Sequence, residues 1–213
     1  MSALMMQKVN EFMTDPDSQD YYDLFECEVA RYLPRLYDEN GHYTIVRDWS
    51  GYFDIGKVYR GKVLTVDEYL KWESRYLGFL FDFLDAEGIN CLYPFCIGIP
   101  STRILKKDLK LCPPIGGIKG LSKSIQYLRN IYIGQRITKN RWRFLFTFLL
   151  REMGGMGLRS ADSRVVLDIG ENYYIKLTST LPHEQLRELA ERHHLYLNPR
   201  SKESIELYKN KIL

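Results

Sequence analysis

The pattern of apolar and polar positions is clearest between residues 65 and 87, where apolar side chains recur at helical spacing. Thr65-Val66-Asp67-Glu68 has the form of a capping box, in which a hydroxyl is followed three residues later by Glu. Gly88 then marks the end of the helix. Apolar residues cover so much of the circumference that we expect a central core helix over about 65–87. Its aromatic row is expected in the core rather than on a binding surface.

Shorter patterns surround this helix. Helical spacing predicts further helices at 4–14, 20–36, 121–132, 140–153, 182–193 and from 201 onward. Alternating or continuous apolar runs predict strands at 42–47, 57–60, 90–99 and 195–197, and a hairpin with strands at 164–168 and 173–178. The mixture indicates an α+β fold that is mostly helical around the core helix (about 65–87), with a small, largely antiparallel sheet.

A chain of 213 residues is long enough to bury one large core. We therefore predict a single α+β domain over 1–213, with residues from about 160 to 213 as a candidate C-terminal subdomain. The apolar cluster at 4–6 lacks the flanks of a signal peptide. The longest apolar run, 144–150, is far below the roughly 20 residues of a spanning helix. We expect a cytoplasmic protein with no membrane partner.

The net charge of +3 is distributed unevenly along the chain. Residues 1–95 carry 17 acidic and 9 basic side chains, a balance of −8, whereas residues 96–165 carry 3 acidic and 14 basic ones, a balance of +11. An acidic face attracts a basic protein, and a basic face attracts nucleic acid. Alternatively, the two segments pack side by side and neutralise each other, and the sequence leaves these alternatives open.

Motifs of known chemistry are missing from the sequence. The glycine-rich run at 116–124 has the wrong spacing for a P-loop, and neither a GxSxG elbow nor an HExxH pair occurs. The adjacent pair His193 and His194 would point to different faces of a helix. The four cysteines form no CxxC pair and are expected to be reduced and buried. We predict no catalytic residue, no cofactor and no metal site.

The stretch DWSGYFDIGKVYRG, residues 48–61, has an unusual composition for a core segment. Asp48 and Asp54 are candidates for an acid–base pair, but Asp and Gly at such spacings are more typical of turns. The stretch is therefore interpreted first as a connection between a strand and the core helix. Trp49 and Tyr52, with the neighbouring Phe53, either cover one end of that helix or anchor a partner.

The segment 103–143 concentrates basic residues, with Tyr127, Tyr132 and Trp142 interleaved. Phosphate neutralisation combined with base stacking uses these residue types. No signature of an RRM, KH, zinc-finger or helix-turn-helix domain accompanies them. Nucleic-acid binding through 103–143 is the alternative function that the sequence supports.

The run from 48 to 77 also carries a resemblance to a known family. The order Asp48-Trp49-Ser50, Asp54-Ile55-Gly56-Lys57, Leu64-Thr65, Glu68-Tyr69-Leu70 and Glu73 resembles immunity proteins of bacterial contact-dependent growth-inhibition systems, above all those paired with EndoU-type RNase toxins. The resemblance covers about residues 20–90. It implies a bacterial cytoplasmic protein, without catalytic residues, that binds one cognate toxin and blocks its active site.

This resemblance sets the expected partner and surface. A nuclease toxin has a basic active site, because it must attract phosphates. An acidic surface with aromatic anchors would give an inhibitor fast and specific association with such a basic RNase. The toxin-interface candidates are Asp48, Trp49, Tyr52, Asp54, Asp82 and Asp85.

Overall fold

An antiparallel sheet of seven strands forms the framework of the protein. The computed structural model describes residues 25–31, 49, 51–101, 103–105, 107, 121–169 and 175–199. The strands are β1 (Cys27–Ala30), β2 (Val58–Tyr59), β3 (Lys62–Val63), β4 (Cys91–Gly98), β5 (Ile137–Thr138), β6 (Gly155–Arg159), β7 (Val166–Ile169), β8 (Ile175–Thr178) and β9 (Tyr196–Pro199). Their order in the large sheet is β5-β4-β6-β7-β8-β1-β9, and β2 and β3 form a separate two-stranded ribbon.

Helices pack beside one another against this sheet. They are α1 (Val66–Ala86), α2 (Leu121–Arg129), α3 (Lys139–Leu150) and α4 (His183–Arg192). Helix α1 contacts both α3 and α4, while α3 contacts β7 and α4 contacts β9. The longest helix therefore lies between two others, which explains why its apolar residues extend around most of its circumference.

The side chains that join sheet and helices alternate along the strands. Leu158 of β6 pairs with Leu167 of β7, which pairs with Leu177 of β8, and all three are fully buried in the main core. Because alternate residues of a strand point to opposite faces, these partners share one face of the sheet. The fold thus buries one continuous apolar layer between strands and helices.

The prediction of a mostly helical fold with a small sheet is wrong, because seven strands pair in one antiparallel sheet. One cause is residues 20–36, which were predicted as a helix. Their described part contains β1, which inserts between β8 and β9 and pairs with both. Apolar positions in a four-residue strand fit helical spacing as well, so periodicity does not separate the two over such a short run.

Several individual elements were placed correctly. Helix α1 matches the prediction of 65–87, β4 the strand at 90–99, and α4 the helix at 182–193. Strands β7 and β8 match the predicted hairpin at 164–168 and 173–178. Helix α3 begins at Lys139, one residue before the predicted start, with Thr138 as its N-cap. The helices predicted at 4–14 and from 201, and the strand at 42–47, lie outside the described residues.

Candidate functional site

Residues 49 and 51–56, called the corner here, form a closed turn ahead of the ribbon. A 3-10 turn runs over Tyr52–Asp54. The amide of Gly51 donates to Asp54 Oδ2 at 3.4 Å, and Lys57 Nζ donates to Asp54 Oδ1 at 2.7 Å. The hydrogen bond from Lys57 to Asp54 raises the pKa of the Lys57 ammonium. Asp54 thus holds the corner together through bonds within its own turn.

The aromatic residues Trp49 and Tyr52 are buried in the main core. The Trp49 ring centroid lies 5.8 Å from that of Tyr69 in α1. On its other side the Arg31 guanidinium lies 3.6 Å over the indole, and Arg31 donates to the Trp49 carbonyl. Of the two readings of these aromatics, the structure gives Trp49 and Tyr52 the packing role. Phe53 differs, because it is 47% exposed.

The ribbon that follows, residues 57–64 and called the hairpin here, is fixed by short backbone bonds. Gly56 N–H donates to Leu64 O and Leu64 N–H to Lys57 O, both at 2.9 Å. The turn residues Arg60 and Gly61 have φ of 50° and 76°. Two successive positive φ angles define a type I′ turn, the turn whose twist matches that of a two-residue hairpin.

The two faces of the hairpin have different environments. Tyr59 packs against the main core. Val58 and Val63, which are direct cross-strand partners, are 64% and 55% exposed. Alternation along a strand places neighbouring side chains on opposite faces. The hairpin is therefore held to the body through one face and presents an apolar valine pair on the other.

Cations lie next to this valine pair in the sequence. The Lys57 side chain is 59% exposed, and Arg60 at the turn and Lys62 on the returning strand are exposed as well. From residue 57 to residue 64 the sequence contains no acidic residue. The hairpin thus combines an exposed apolar pair with cationic residues, of which Lys62 pairs with Tyr59 and so lies on the other face.

The next residue, Thr65, joins the hairpin to α1. Its side chain accepts a hydrogen bond from the Glu68 amide at 3.2 Å, as the capping pattern predicts. Glu68 also accepts a hydrogen bond from Trp72 Nε1 at 2.9 Å. The hairpin is thus joined directly to the capped end of the long helix α1.

Two acidic residues near the C-terminal end of α1 pair with basic residues elsewhere in the chain. His193 Nε2 lies 2.9 Å from Asp82 Oδ2, and Lys139 Nζ lies 2.5 Å from Asp85 Oδ1. Asp82 and Asp85 were predicted to face a toxin. The structure places Asp82 at the C-terminal end of α4 and Asp85 at the start of α3, with side chains 44% and 52% exposed. Of these two pairs, only that of Asp85 and Lys139 joins the acidic segment 1–95 to the basic segment 96–165.

Two further glutamates of this helix are buried. Glu73 forms a bidentate pair with Arg151, with a distance of 2.9 Å from Arg151 Nη2 to Glu73 Oε1. At the C-cap, Glu87 Oε1 accepts from the Thr180 amide at 2.8 Å and from Ser179 Oγ at 2.6 Å. These carboxylates lock α1 to the segments after α3 and before α4.

The predicted interface residues are therefore not gathered on one surface. Trp49 and Tyr52 lie in the core, Asp54 bonds within the corner, and Asp82 and Asp85 pair with other helices. Asp48 lies outside the described residues. Their contact with a toxin stays a prediction, and the side chains that stand out from this region belong to the hairpin.

The basic segment 103–143 leaves several charges at the surface. Arg136 is exposed next to Tyr93, and Arg141 lies 5.1 Å over the ring of Tyr127. Tyr132 is 65% exposed, whereas Trp142 is fully buried. Within the described residues the exposed basic side chains of this segment are Arg103, Lys107, Lys123, Arg129, Arg136, Lys139, Arg141 and Arg143.

Sequence reasoning missed the hairpin. It identified a short strand at 57–60 but no returning strand, because Lys62 and Val63 alone are too short to show alternation. The signal was Gly61 after Arg60, since a glycine between two valine-containing pairs marks a two-residue turn. The exposed valines were missed for the same reason, as only the pairing shows that they share the outer face.

Comparison with known proteins adds no relative: no family model, no curated protein and no solved structure matches the chain. Within the part of the chain that the structure describes, no helix combines the length and apolarity needed to cross a membrane. Over the same residues, no group of three or more His, Cys, Asp or Glu side chains is placed to hold a metal ion.

Proposed function

We propose that this chain is a non-enzymatic bacterial immunity protein of the cytoplasm that binds a cognate toxin domain and blocks its activity. The resemblance over residues 48–73 suggests the class of partner, an RNase toxin. The observation that carries the proposal is the exposed hairpin at the centre of that segment. Its valine pair is exposed, and the hairpin leads directly into the capped helix α1.

The residues that carry the resemblance have structural roles next to this hairpin. Gly56 and Leu64 close its base through their backbone bonds, and Thr65 caps α1. Tyr69 and Glu73 are buried in the helix behind it. Of the six residues between the matched positions, 58–63, all but Tyr59 are exposed. This division suits a protein that holds one scaffold and presents a surface specific for its partner.

An exposed apolar pair is also chemically suited to a protein partner. Single exposed apolar residues are normal on a surface, but Val58 and Val63 are direct cross-strand partners, and the exposed Arg60 lies at the turn beyond them. Protein interfaces likewise combine apolar side chains with polar ones. Neither feature requires a catalytic group.

The test is rescue of cells that express the toxin domain encoded next to this gene. Co-expression of the full chain should restore growth, and Val58→Asp with Val63→Asp should abolish rescue while the circular dichroism spectrum stays unchanged. The matched control is Arg187→Ala on the exposed face of α4, which should rescue fully. Failure of the folded parent chain to rescue would rule out the immunity function.

Nucleic-acid binding is the second candidate, favoured by the exposure of Tyr132 and of the arginines at 129, 136, 141 and 143. A tyrosine with nearby guanidinium groups can stack on a base while the cations contact phosphates. A gel shift with single-stranded RNA at rising salt tests it. Binding that weakens steeply with salt and falls on Tyr132→Ala would support this function, and a salt-insensitive absence of binding would rule it out.

A further inference from the structure

The turn residue Arg60 has an unusual backbone conformation for its type. Its φ of 50° lies in the left-handed region, where the Cβ of an L-residue crowds the following carbonyl. At the first position of a type I′ turn, Asn, Asp and Gly are the favoured residues. The chain has glycine at the second position, Gly61, yet keeps an arginine at the first. The local fold therefore does not explain the choice of Arg60.

Among the described residues, no hydrogen bond or ion pair of the Arg60 side chain stabilises this conformation. Arg60 is exposed at the tip of the hairpin, and its neighbours in the ribbon include the cations Lys57 and Lys62. Lys57 is the one of these three that bonds to Asp54, at the base of the ribbon. A strained residue that its own turn does not favour is often retained for a function.

We infer that Arg60 is the specificity anchor of the hairpin and binds a carboxylate on an acidic patch of the partner protein, with Val58 and Val63 packing beside it. This inference rests on the proposed function. It also changes the expected electrostatics, because the docking surface of this chain is basic rather than acidic. The patch it contacts on the toxin must then lie outside the basic groove that binds phosphates.

Two properties of the hairpin favour a protein over nucleic acid as the occupant. A guanidinium forms a bidentate pair with a carboxylate and is enriched among residues that dominate binding energy. A guanidinium also binds a phosphate, but a phosphate backbone offers no apolar surface on which the exposed valine pair could be buried. A protein patch that combines an acidic side chain with apolar neighbours satisfies both features of the surface.

One substitution distinguishes the effect of residue 60 on the stability of the turn from its effect on binding. Arg60→Asn introduces the residue that a type I′ turn prefers, so the midpoint of thermal unfolding should rise by about 2–4 °C. Affinity for the purified toxin domain encoded next to this gene, in a catalytically inactive form, should fall at least about tenfold. A change that stabilises the fold and weakens binding cannot be attributed to unfolding.

The chain offers a matched control at another left-handed position. His194 has a φ of 56° and is exposed just after the C-cap of α4, where Asn is also favoured. His194→Asn should raise the unfolding midpoint to a similar extent and leave the affinity for the toxin domain unchanged. Arg60→Lys keeps the charge but loses the planar guanidinium that can bind a carboxylate through two hydrogen bonds, so it should give an intermediate affinity.

Each result decides between the two proposals. If the toxin domain binds the parent chain and Arg60→Asn equally well, the anchor role of Arg60 is wrong and the immunity function stands. If it does not bind the folded parent chain, the immunity function fails and the inference fails with it. If Arg60→Asn loses binding only to single-stranded RNA and not to the toxin domain, the protein occupant is wrong.

Discussion

The charges of helix α1 and those of the hairpin lie next to each other in the sequence but are used differently. In α1, Glu73, Asp82 and Asp85 each meet a basic residue from another part of the chain. In the hairpin, Arg60 and Lys62 face solvent at the surface. In α1 the charge of Glu73 is buried in its pair with Arg151, whereas Asp82 and Asp85 form partly exposed pairs. The charges of Arg60 and Lys62 stay at the surface.

The difference between buried and exposed charges predicts the largest loss of stability at the buried pair of Glu73 and Arg151. Arg151→Ala leaves the Glu73 carboxylate buried without its partner, so we expect a loss of about 3–5 kcal/mol in the free energy of unfolding. Urea denaturation measures it. The control is the exposed pair of Arg187 and Glu184, where Arg187→Ala should cost at most about 1 kcal/mol. Equal losses at the two pairs would contradict the distinction.

A second effect is expected where α4 approaches α1. A Cβ added to Gly78 would lie 2.7 Å from the His193 ring, which bonds to Asp82. Gly78→Ala should therefore cost about 1–3 kcal/mol in thermal or urea unfolding.

The matched test of this clash removes the ring. In a His193→Ala background, Gly78→Ala should become neutral or stabilise by up to about 1 kcal/mol, because alanine is the better helix former. A cost that stays the same in both backgrounds would show that the His193 ring is not what the substitution meets.

Substitutions in the hairpin should change binding and leave the stability of the fold nearly unchanged. Val58→Ser with Val63→Ser removes side chains that are already exposed, so the free energy of unfolding should change by less than about 0.5 kcal/mol. Binding of the toxin domain, measured by calorimetry, should weaken clearly. A large loss of stability would mean that the valine pair belongs to the core after all, and the contrast between hairpin and helix would disappear.

The smallest effect concerns Lys57, which joins the corner to the hairpin. Its pKa is raised in the folded state by the hydrogen bond to Asp54. A raised pKa means that its contribution to stability is fully present below its unfolded value of about 10.5 and is lost as the pH rises through the folded value. The stability difference between the parent chain and Lys57→Met should therefore shrink above that pH, as urea unfolding across pH would measure. A difference that stays constant would exclude the bond as its source.

Part of the site was predictable from the sequence. The capping pattern at Thr65 located the start of α1, and the turn interpretation of the corner agrees with the bonds of Asp54. The ion pairs of Asp82 and Asp85 were not predictable, because their partners His193 and Lys139 lie more than fifty residues away in the sequence. The spacing of polar residues within a helix predicts which face is polar, but it does not predict which other element packs against that face.

The sequence by itself determined the long helix, the strand at β4, the β7–β8 hairpin and the absence of a familiar catalytic motif. These depend on local periodicity, caps and spacing, which the chain carries within a few residues. Only the tertiary structure decided that the sheet has seven strands, that Glu73 and Asp85 pair with Arg151 and Lys139 of the basic segment, and that Val58, Arg60 and Val63 are exposed. Strand order, ion pairing and exposure depend on contacts between distant residues, and such contacts leave no period in the sequence.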